Sequence, residues 1–216
     1  MKTRLALTVL VAAGMASVAS AQFYGGDFDG ENGLSDEFNT AVGDAFVFEN
    51  FNWGGGTITG IYANYLSDLS STNGYNFEIR SGVSAGNGGT LEASGTGTGT
   101  WATNGMDGFG FTGRRLDSDA MSVNLPAGMY WVALAPIGFG SGRAFVDTTS
   151  GLNSVGSPID DDNNYFTSNT FGFSFEPIVN VLGAPADFFY GVNGVPAPGA
   201  LALLGLGGLA SIRRRR

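Results

Sequence analysis

Cysteine and histidine are both absent from the 216 residues of the chain. Without cysteine no disulfide can form, so the stability of the fold must come from its core. Without histidine the chain lacks the commonest general base, the usual ligand of transition metals and any Ser-His or Cys-His pair. These two absences exclude a large part of known enzyme chemistry, and we predict that the protein is not an enzyme.

Basic residues are scarce between the two ends of the chain. Residues 22–194 hold all 19 Asp and Glu residues but only four Arg, a formal charge of −15 against −9 for the whole chain. Such a surface repels phosphate backbones, so we predict no nucleic-acid partner.

The N-terminal residues 1–21 have the pattern of a secretory signal peptide. Lys2 and Arg4 precede an apolar run from Leu5 to Ala13, and the small residues Ala19 and Ala21 mark the cleavage site. We predict a signal helix that is removed on export. Residues 22–194 then have a length suited to one domain.

Apolar and polar residues alternate in several short stretches of this domain, which is typical of β-strands. Ile58 and Tyr62 are predicted to share one face of a strand. The predicted strands are Thr57–Leu66, Tyr75–Arg80, Met121–Leu125, Met129–Ala135 and Phe171–Phe175.

Turn residues separate these stretches. Asn87-Gly88 predicts a hairpin turn, and Pro126 with Gly128 predicts a type I turn. Gly108–Gly113 matches G-x-G-x-x-G, but no helix pattern follows, so it indicates a β-turn and not a dinucleotide site. The glycine- and threonine-rich residues 94–100 are predicted to be a loop or a flat edge strand. We therefore predict an all-β fold, an antiparallel β-sandwich of jelly-roll type, with helices only in the signal and the C-terminal apolar run.

Two acidic stretches supply the oxygen ligands that calcium prefers. Asp27 and Asp29 alternate with other residues in the first, and Asp160, Asp161 and Asp162 are consecutive in the second. The spacing fails the EF-hand rule. A calcium-binding loop and a solvated acidic loop both remain open, and no other cofactor is predicted.

Aromatic residues raise a second alternative, a carbohydrate-binding module. Trp53 and Trp101 lie beside glycine-rich turns, where an exposed ring could stack on a sugar, whereas Trp131 lies in an apolar run and is predicted to be in the core. A glycoside-active enzyme built on two carboxylates is a remote alternative.

The C-terminal segment joins a proline motif to an apolar run and a basic cluster. The motif is Val195, Pro196, Ala197 and Pro198, the run extends to Ile212, and the cluster is Arg213, Arg214, Arg215 and Arg216. The 14 residues from Gly199 to Ile212 are apolar or small, which is fewer than the roughly 20 that span a bilayer comfortably. By the positive-inside rule the arginines would stay on the cytoplasmic side of a membrane.

This segment resembles a PEP-CTERM sorting signal, also called an ice-binding protein C-terminal domain, a label that does not imply ice binding. The resemblance implies recognition of Pro196 and Pro198 by a membrane transpeptidase, exosortase, and retention by the arginine cluster. The chain departs from the motif at Ala197, where the family has Glu. More loosely, residues 22–194 resemble the glycine- and aromatic-rich β-sandwich domains that precede such tails in planctomycete-like bacteria.

Together these features predict an exported, non-catalytic protein of the cell surface or extracellular matrix. The resemblance implies transient or retained membrane anchoring, an exosortase-type partner and a structural or adhesive role in an exopolysaccharide-associated envelope. Polysaccharide is a further predicted partner.

Overall fold

The computed structural model describes residues 21–159 and 161–197, and these residues form an all-β fold. Every strand pair in these two ranges is antiparallel. The strands are β1 (Ala21–Tyr24), β2 (Phe28–Ser35), β3 (Glu37–Asn39), β4 (Gly43–Ser67), β5 (Tyr75–Ser81), β6 (Thr90–Gly97), β7 (Thr100–Thr103), β8 (Thr112–Asp117), β9 (Val123–Pro136), β10 (Ala144–Thr149), β11 (Tyr165–Ser168), β12 (Phe173–Pro177), β13 (Asp187–Phe188) and β14 (Tyr190–Pro196). One short helix, α1 (Ile178–Leu182), lies between β12 and β13.

The long strand β4 organises the sheet because it pairs with six other strands along its length. Strands β3, β9, β8, β11, β14 and β10 all pair with it. The main path through the sheet runs β1-β14-β4-β9-β5-β6. The last strand of the described chain, β14, thus pairs with β4, and the first strand, β1, pairs with the other edge of β14.

Three consecutive glycines, Gly54–Gly56, divide β4, and we call them the glycine corner. Gly55 and Gly56 have φ values of +87° and +127°, which favour glycine. Strand β9 follows β4 across this corner without interruption, with Gly54 opposite Ala127 and Gly56 opposite Leu125. The predicted turn at Pro126–Gly128 is therefore wrong. Proline, which lacks an N–H, is accommodated within the strand beside the corner.

A second irregularity corrects the predicted face of Tyr62. The register with β14 shifts between Ile58 and Gly60, and such a bulge exchanges the two faces of a strand. Ile58 and Ile61 therefore enter the main core. Tyr62 packs instead beside Tyr24, with ring centroids 6.4 Å apart.

Alternate residues of β4 and β9 contribute to two apolar clusters. The main core takes Val47, Phe51 and Trp53 of β4. The second cluster comprises Phe46, Phe48, Val83, Trp131, Ala133 and Ala135, with Phe38, Tyr165 and Phe175 packed against it. Thus one sheet segment is covered by apolar side chains on both sides.

Strand β12 differs from its predicted alternation. Phe171 lies before the strand and is 44% exposed. Phe173 packs against the main core and Phe175 against the second cluster. Phe175 has φ +48°, the left-handed region, which turns its ring away from the side that simple alternation predicts.

The β5–β6 hairpin confirms the predicted strand at Tyr75–Arg80. Its tight turn lies at Ala85-Gly86 and is closed by the bridge between Ser84 and Asn87, so the turn predicted at Asn87-Gly88 is wrong in position. The glycine- and threonine-rich stretch is an edge strand over most of its length. A Cβ on Gly95 would lie 2.8 Å from the Phe77 ring, and one on Gly97 would lie 2.5 Å from the Tyr75 hydroxyl. The glycines are therefore required because aromatic side chains of β5 lie over them.

Candidate functional site

An acid-lined cleft is the feature of the described residues that best suits a ligand. It encloses about 280 Å³ between β2, the end of β10 and the segment joining α1 to β13. Its lining residues are Asp29, Glu31, Asn32, Thr148, Thr149, Ser150, Leu182, Ala184, Pro185, Ala186 and Asp187. The lining contains three carboxylates and no basic residue, so the cleft favours cations and hydroxyl-rich molecules over anions.

The β2 wall of the cleft is fixed by hydrogen bonds to β10. The register between these strands shifts between Asp147 and Thr149. The Thr148 hydroxyl donates to Asp29 Oδ1 at 2.7 Å and accepts from the backbone N–H of Asn32 at 3.1 Å. The Glu31 N–H also donates to Asp29 Oδ1, at 2.8 Å. These contacts hold the Asp29 carboxylate in one orientation at the cleft.

The opposite wall carries Asp187, which is 8% exposed and leads to a second, fully buried acid. Asn164 Nδ2 donates to Asp187 Oδ1 at 3.1 Å and to Glu49 Oε2 at 3.4 Å. The Phe188 N–H donates to the same Glu49 oxygen at 2.8 Å. Burial and then the charge of Asp187 raise the pKa of Glu49 well above its usual range. Burial thus favours the protonated form of Glu49.

Asp36 forms a third buried acidic site with two tyrosines. The Tyr190 hydroxyl lies 2.6 Å from Asp36 Oδ2 and 3.0 Å from the Val47 carbonyl oxygen. The Tyr65 hydroxyl lies 3.3 Å from Asp36 Oδ2 and also contacts the Leu134 carbonyl. Each phenol has one proton, so a proton on the Asp36 carboxyl allows both phenols to donate to backbone carbonyls. Burial raises the pKa of Asp36 to about 8 despite these hydrogen bonds.

Asp147 lies in β10 between the residues of the cleft and Tyr65. It is fully buried, and neither carboxylate oxygen has a partner of good hydrogen-bond geometry among the described residues. Burial and then the charge of Asp29 raise the pKa of Asp147 to about 8, an effect that the Leu66 amide offsets in part. Asp147 thus adds a further buried carboxyl with a raised pKa next to the cleft.

The predicted calcium ligands are not brought together. Asp29 lies in the cleft, whereas Asp27 accepts from the Tyr24 hydroxyl and, at 2.6 Å, from Asn153 Nδ2. Asp161 accepts from Asn50 Nδ2 at 3.0 Å. Asp162 is exposed with φ +53°, and Asp160 lies outside the described residues. Within the described ranges, no group of three or more acidic side chains is arranged to hold a metal ion.

The tryptophans do not form exposed platforms. Trp53 is 3% exposed and Trp131 is 5% exposed, which contradicts the prediction for Trp53 and confirms it for Trp131. Trp101 is half-buried; its Nε1 donates to the Leu69 carbonyl at 3.1 Å, and its ring lies 5.6 Å from that of Tyr65. All three rings are therefore engaged in packing.

The sorting motif and the signal cleavage site are described only in part. Ala21 begins β1, and Val195 and Pro196 end β14 with Ala197 directly after them. Ala19, Pro198 and Arg213–Arg216, together with the predicted signal and C-terminal helices, lie outside the described residues. Among helices within the described ranges, none has the length and apolar character to cross a membrane.

Sequence reasoning missed the buried acids. Glu49 follows Phe48 and Asp147 follows Val146 in strands that carry apolar residues, and an acid inside such a strand is the signal that could have identified these two. Asp187 lies just before Phe188-Phe189-Tyr190 and carries the same signal. Asp36 lies between Ser35 and Glu37 and carries no such signal.

Comparisons with known proteins found no match. No family model, no curated protein and no solved structure resembles this chain. The functional argument therefore rests on the residues and their geometry.

Proposed function

We propose that this chain is an exported, non-catalytic protein of the cell surface or extracellular matrix, sorted through its C-terminal tail. Its role is structural or adhesive in an exopolysaccharide-associated envelope, and an exosortase-type enzyme is its processing partner. The observation that carries the proposal is the order of segments in the sequence. A signal-like start precedes the domain, and a proline motif, an apolar run and four arginines follow it.

The packing of the aromatic residues supports a structural role over sugar binding. Sugar-binding modules expose flat rings, whereas the rings of Trp53 and Trp131 are buried and Trp101 is held by a hydrogen bond. The two apolar clusters on opposite sides of β4 and β9 support the finer fold proposal, a single antiparallel β-sandwich domain of jelly-roll type.

Deletion of Arg213–Arg216 tests the sorting proposal. The arginines are expected to retain the chain at the membrane, so their deletion should shift protein from the membrane and surface fractions to the medium. Replacement of all four by lysine keeps the charge and is the matched control. An unchanged distribution after the deletion would sink the sorting role.

A second candidate function is favoured by the acid-lined cleft, namely binding of a polysaccharide with or without calcium. Asp29, Thr148 and Asp187 present oxygen atoms from two walls of one cleft. Asp29→Asn should weaken retention on a polysaccharide array, whereas Asp27→Asn, a substitution outside the cleft, should not. Calcium at millimolar concentration should raise the melting temperature if the ion binds. This candidate function would be wrong if the protein bound none of the polysaccharides on the array and calcium left its melting temperature unchanged.

A further inference from the structure

The first residues of the sorting motif are part of the sheet. Val195 lies opposite Thr57 and Pro196 opposite Gly56 on β4. The Ala197 N–H then donates to the Gly55 carbonyl at 3.1 Å. The segment Val195–Ala197 is therefore held against the glycine corner.

Close approach of the two backbones depends on Gly56. A Cβ at this position would lie 2.2 Å from the Val195 carbonyl oxygen and 2.7 Å from the Ala197 nitrogen. Both are backbone atoms, which cannot move aside as a flexible side chain can. The φ of +127° at Gly56 adds strain for any other residue. At Gly54, in contrast, a Cβ would meet nothing within 4 Å.

Strand β1 covers the other edge of β14. Ala21 lies opposite Gly194 and Gln22 opposite Asn193. The Phe23 side chain fixes β1 in place because it is only 2% exposed and belongs to the main core. The predicted signal cleavage site and the start of the sorting motif are thus neighbours in one ladder, about 5 Å apart.

We propose that the folded domain acts as a latch on its own sorting segment. The glycine corner holds Val195–Ala197 against β4, while β1 holds the preceding residues Gly191–Gly194 from the other edge of β14. A processing enzyme binds Val195–Ala197 only after these residues leave the sheet. An enzyme that reads an extended peptide needs access to its backbone N–H and C=O groups, and here the ladder with β4 already occupies one edge of Val195–Ala197. Cleavage of such a segment follows the population of the opened state. The meaning of the latch in sorting rests on the proposed function.

The latch is tested with two alanine substitutions in the glycine corner. Gly56→Ala should detach Val195–Ala197, so a proline-specific endoprotease, which cuts after proline, should cleave the full chain after Pro196 about tenfold or more faster than the wild type. Gly54→Ala is the matched control and should cleave at the wild-type rate. Hydrogen exchange of the Ala197 amide should be faster in Gly56→Ala than in the wild type. Equal rates in Gly56→Ala and Gly54→Ala, or a wild-type rate equal to that of a free peptide of residues 190–200, would overturn the proposal.

A second variant covers the case in which Gly56→Ala does not fold. Phe23→Ala removes the side chain that fixes β1 and should also raise cleavage at residues 195–197 above that of Gly54→Ala. No increase in this variant would overturn the role assigned to β1. The arginine deletion separates the two proposals: accelerated cleavage with unchanged distribution in cells would overturn the sorting role and leave the latch as a property of the fold.

Discussion

The main core and the second cluster lie on opposite sides of the same strand, yet they accommodate charge in different ways. The main core borders Asp36 and Glu49, which are fully buried and whose pKa values are raised because burial favours the protonated form. The second cluster borders Arg80, whose guanidinium lies 5.7 Å from the Phe48 ring centre and 5.2 Å from that of Phe175. Guanidinium keeps its charge and remains partly hydrated. The stability of the first region should therefore depend on pH, and that of the second should not.

The largest expected effect is loss of an aromatic side chain from the main core. Phe51 is fully buried and packs against Phe23, Trp53 and Tyr130. Phe51→Ala should lower the free energy of unfolding by about 3–5 kcal/mol, because closely packed rings cannot fill the cavity. Phe48→Ala is the counterpart in the second cluster and should cost less, since Arg80 can move inward. Urea unfolding measures both, and an equal or larger loss in Phe48→Ala would contradict the comparison.

The next effect is the pH dependence of the main core. A carboxyl whose pKa is about 8 in the folded state, against 3.8 ordinarily, stabilises the fold fully below about pH 4. That contribution disappears as the pH rises through 8. The free energy of unfolding should therefore fall by a few kcal/mol from pH 4 to pH 8. Asp36→Asn should remove the part of the fall that Asp36 contributes, since Glu49 and Asp147 contribute in the same direction. Urea unfolding at several pH values tests this, with the exposed Asp162→Asn as control; an unaltered slope in Asp36→Asn would refute it.

A smaller effect is expected at the second cluster. Arg80 contacts two rings, pairs with Glu78 and donates from Nη1 to the Gly88 carbonyl at 3.0 Å. Arg80→Met should lower the free energy of unfolding by about 1–2 kcal/mol through loss of these contacts. The loss should be the same at pH 6 and pH 8. A loss that varies between these pH values would show that the second cluster shares the titration of the main core.

The smallest effect is expected at Asp27, whose contribution to the free energy of unfolding is lost at low pH and not at high pH. Hydrogen bonds from the Tyr24 hydroxyl and then Asn153 lower the pKa of Asp27. A lowered pKa stabilises the fold above the ordinary value and loses that contribution as the pH falls through the folded value. Because Asp27 is largely in solvent, Asp27→Asn should cost less than about 1 kcal/mol at pH 7. The cost should shrink in thermal melts as the pH falls below the ordinary pKa of 3.8; a cost that grows on acidification would contradict this assignment.

The local sequence pattern correctly predicted strands whose conformation depends on residues close in the sequence. The alternation at Tyr75–Arg80 is confirmed because strand chemistry is local there. The connection to β6 also follows the glycine-rich stretch, but its turn lies at Ala85-Gly86 and not at Asn87-Gly88. The prediction of a turn at Pro126 is wrong because the conformation there depends on pairing with a distant segment, the glycine corner. The shift at Gly60 likewise depends on β14, far along the chain.

The buried acids could not be placed from the sequence for the same reason. Asp36 meets Tyr190, 154 residues away, and Glu49 meets the amide of Phe188, 139 residues away. A composition with many acids offers many possible pairs, and only the folded sheet selects among them. The cleft, too, combines β2 with the segment after α1.

The alternation of glycine and threonine in β6 matches the positions of the aromatic rings on the neighbouring strand β5. Gly95 and Gly97 sit beneath the side chains of Phe77 and Tyr75, while Thr96 points into solvent. Tolerance to substitution should therefore alternate along residues 95–97: Gly95 and Gly97 should not tolerate any side chain, whereas Thr96 should. The low-complexity composition of residues 94–97 therefore has a structural cause. The glycines recur every two residues because alternate residues of a strand share one face, and on this face lie the aromatic side chains of β5.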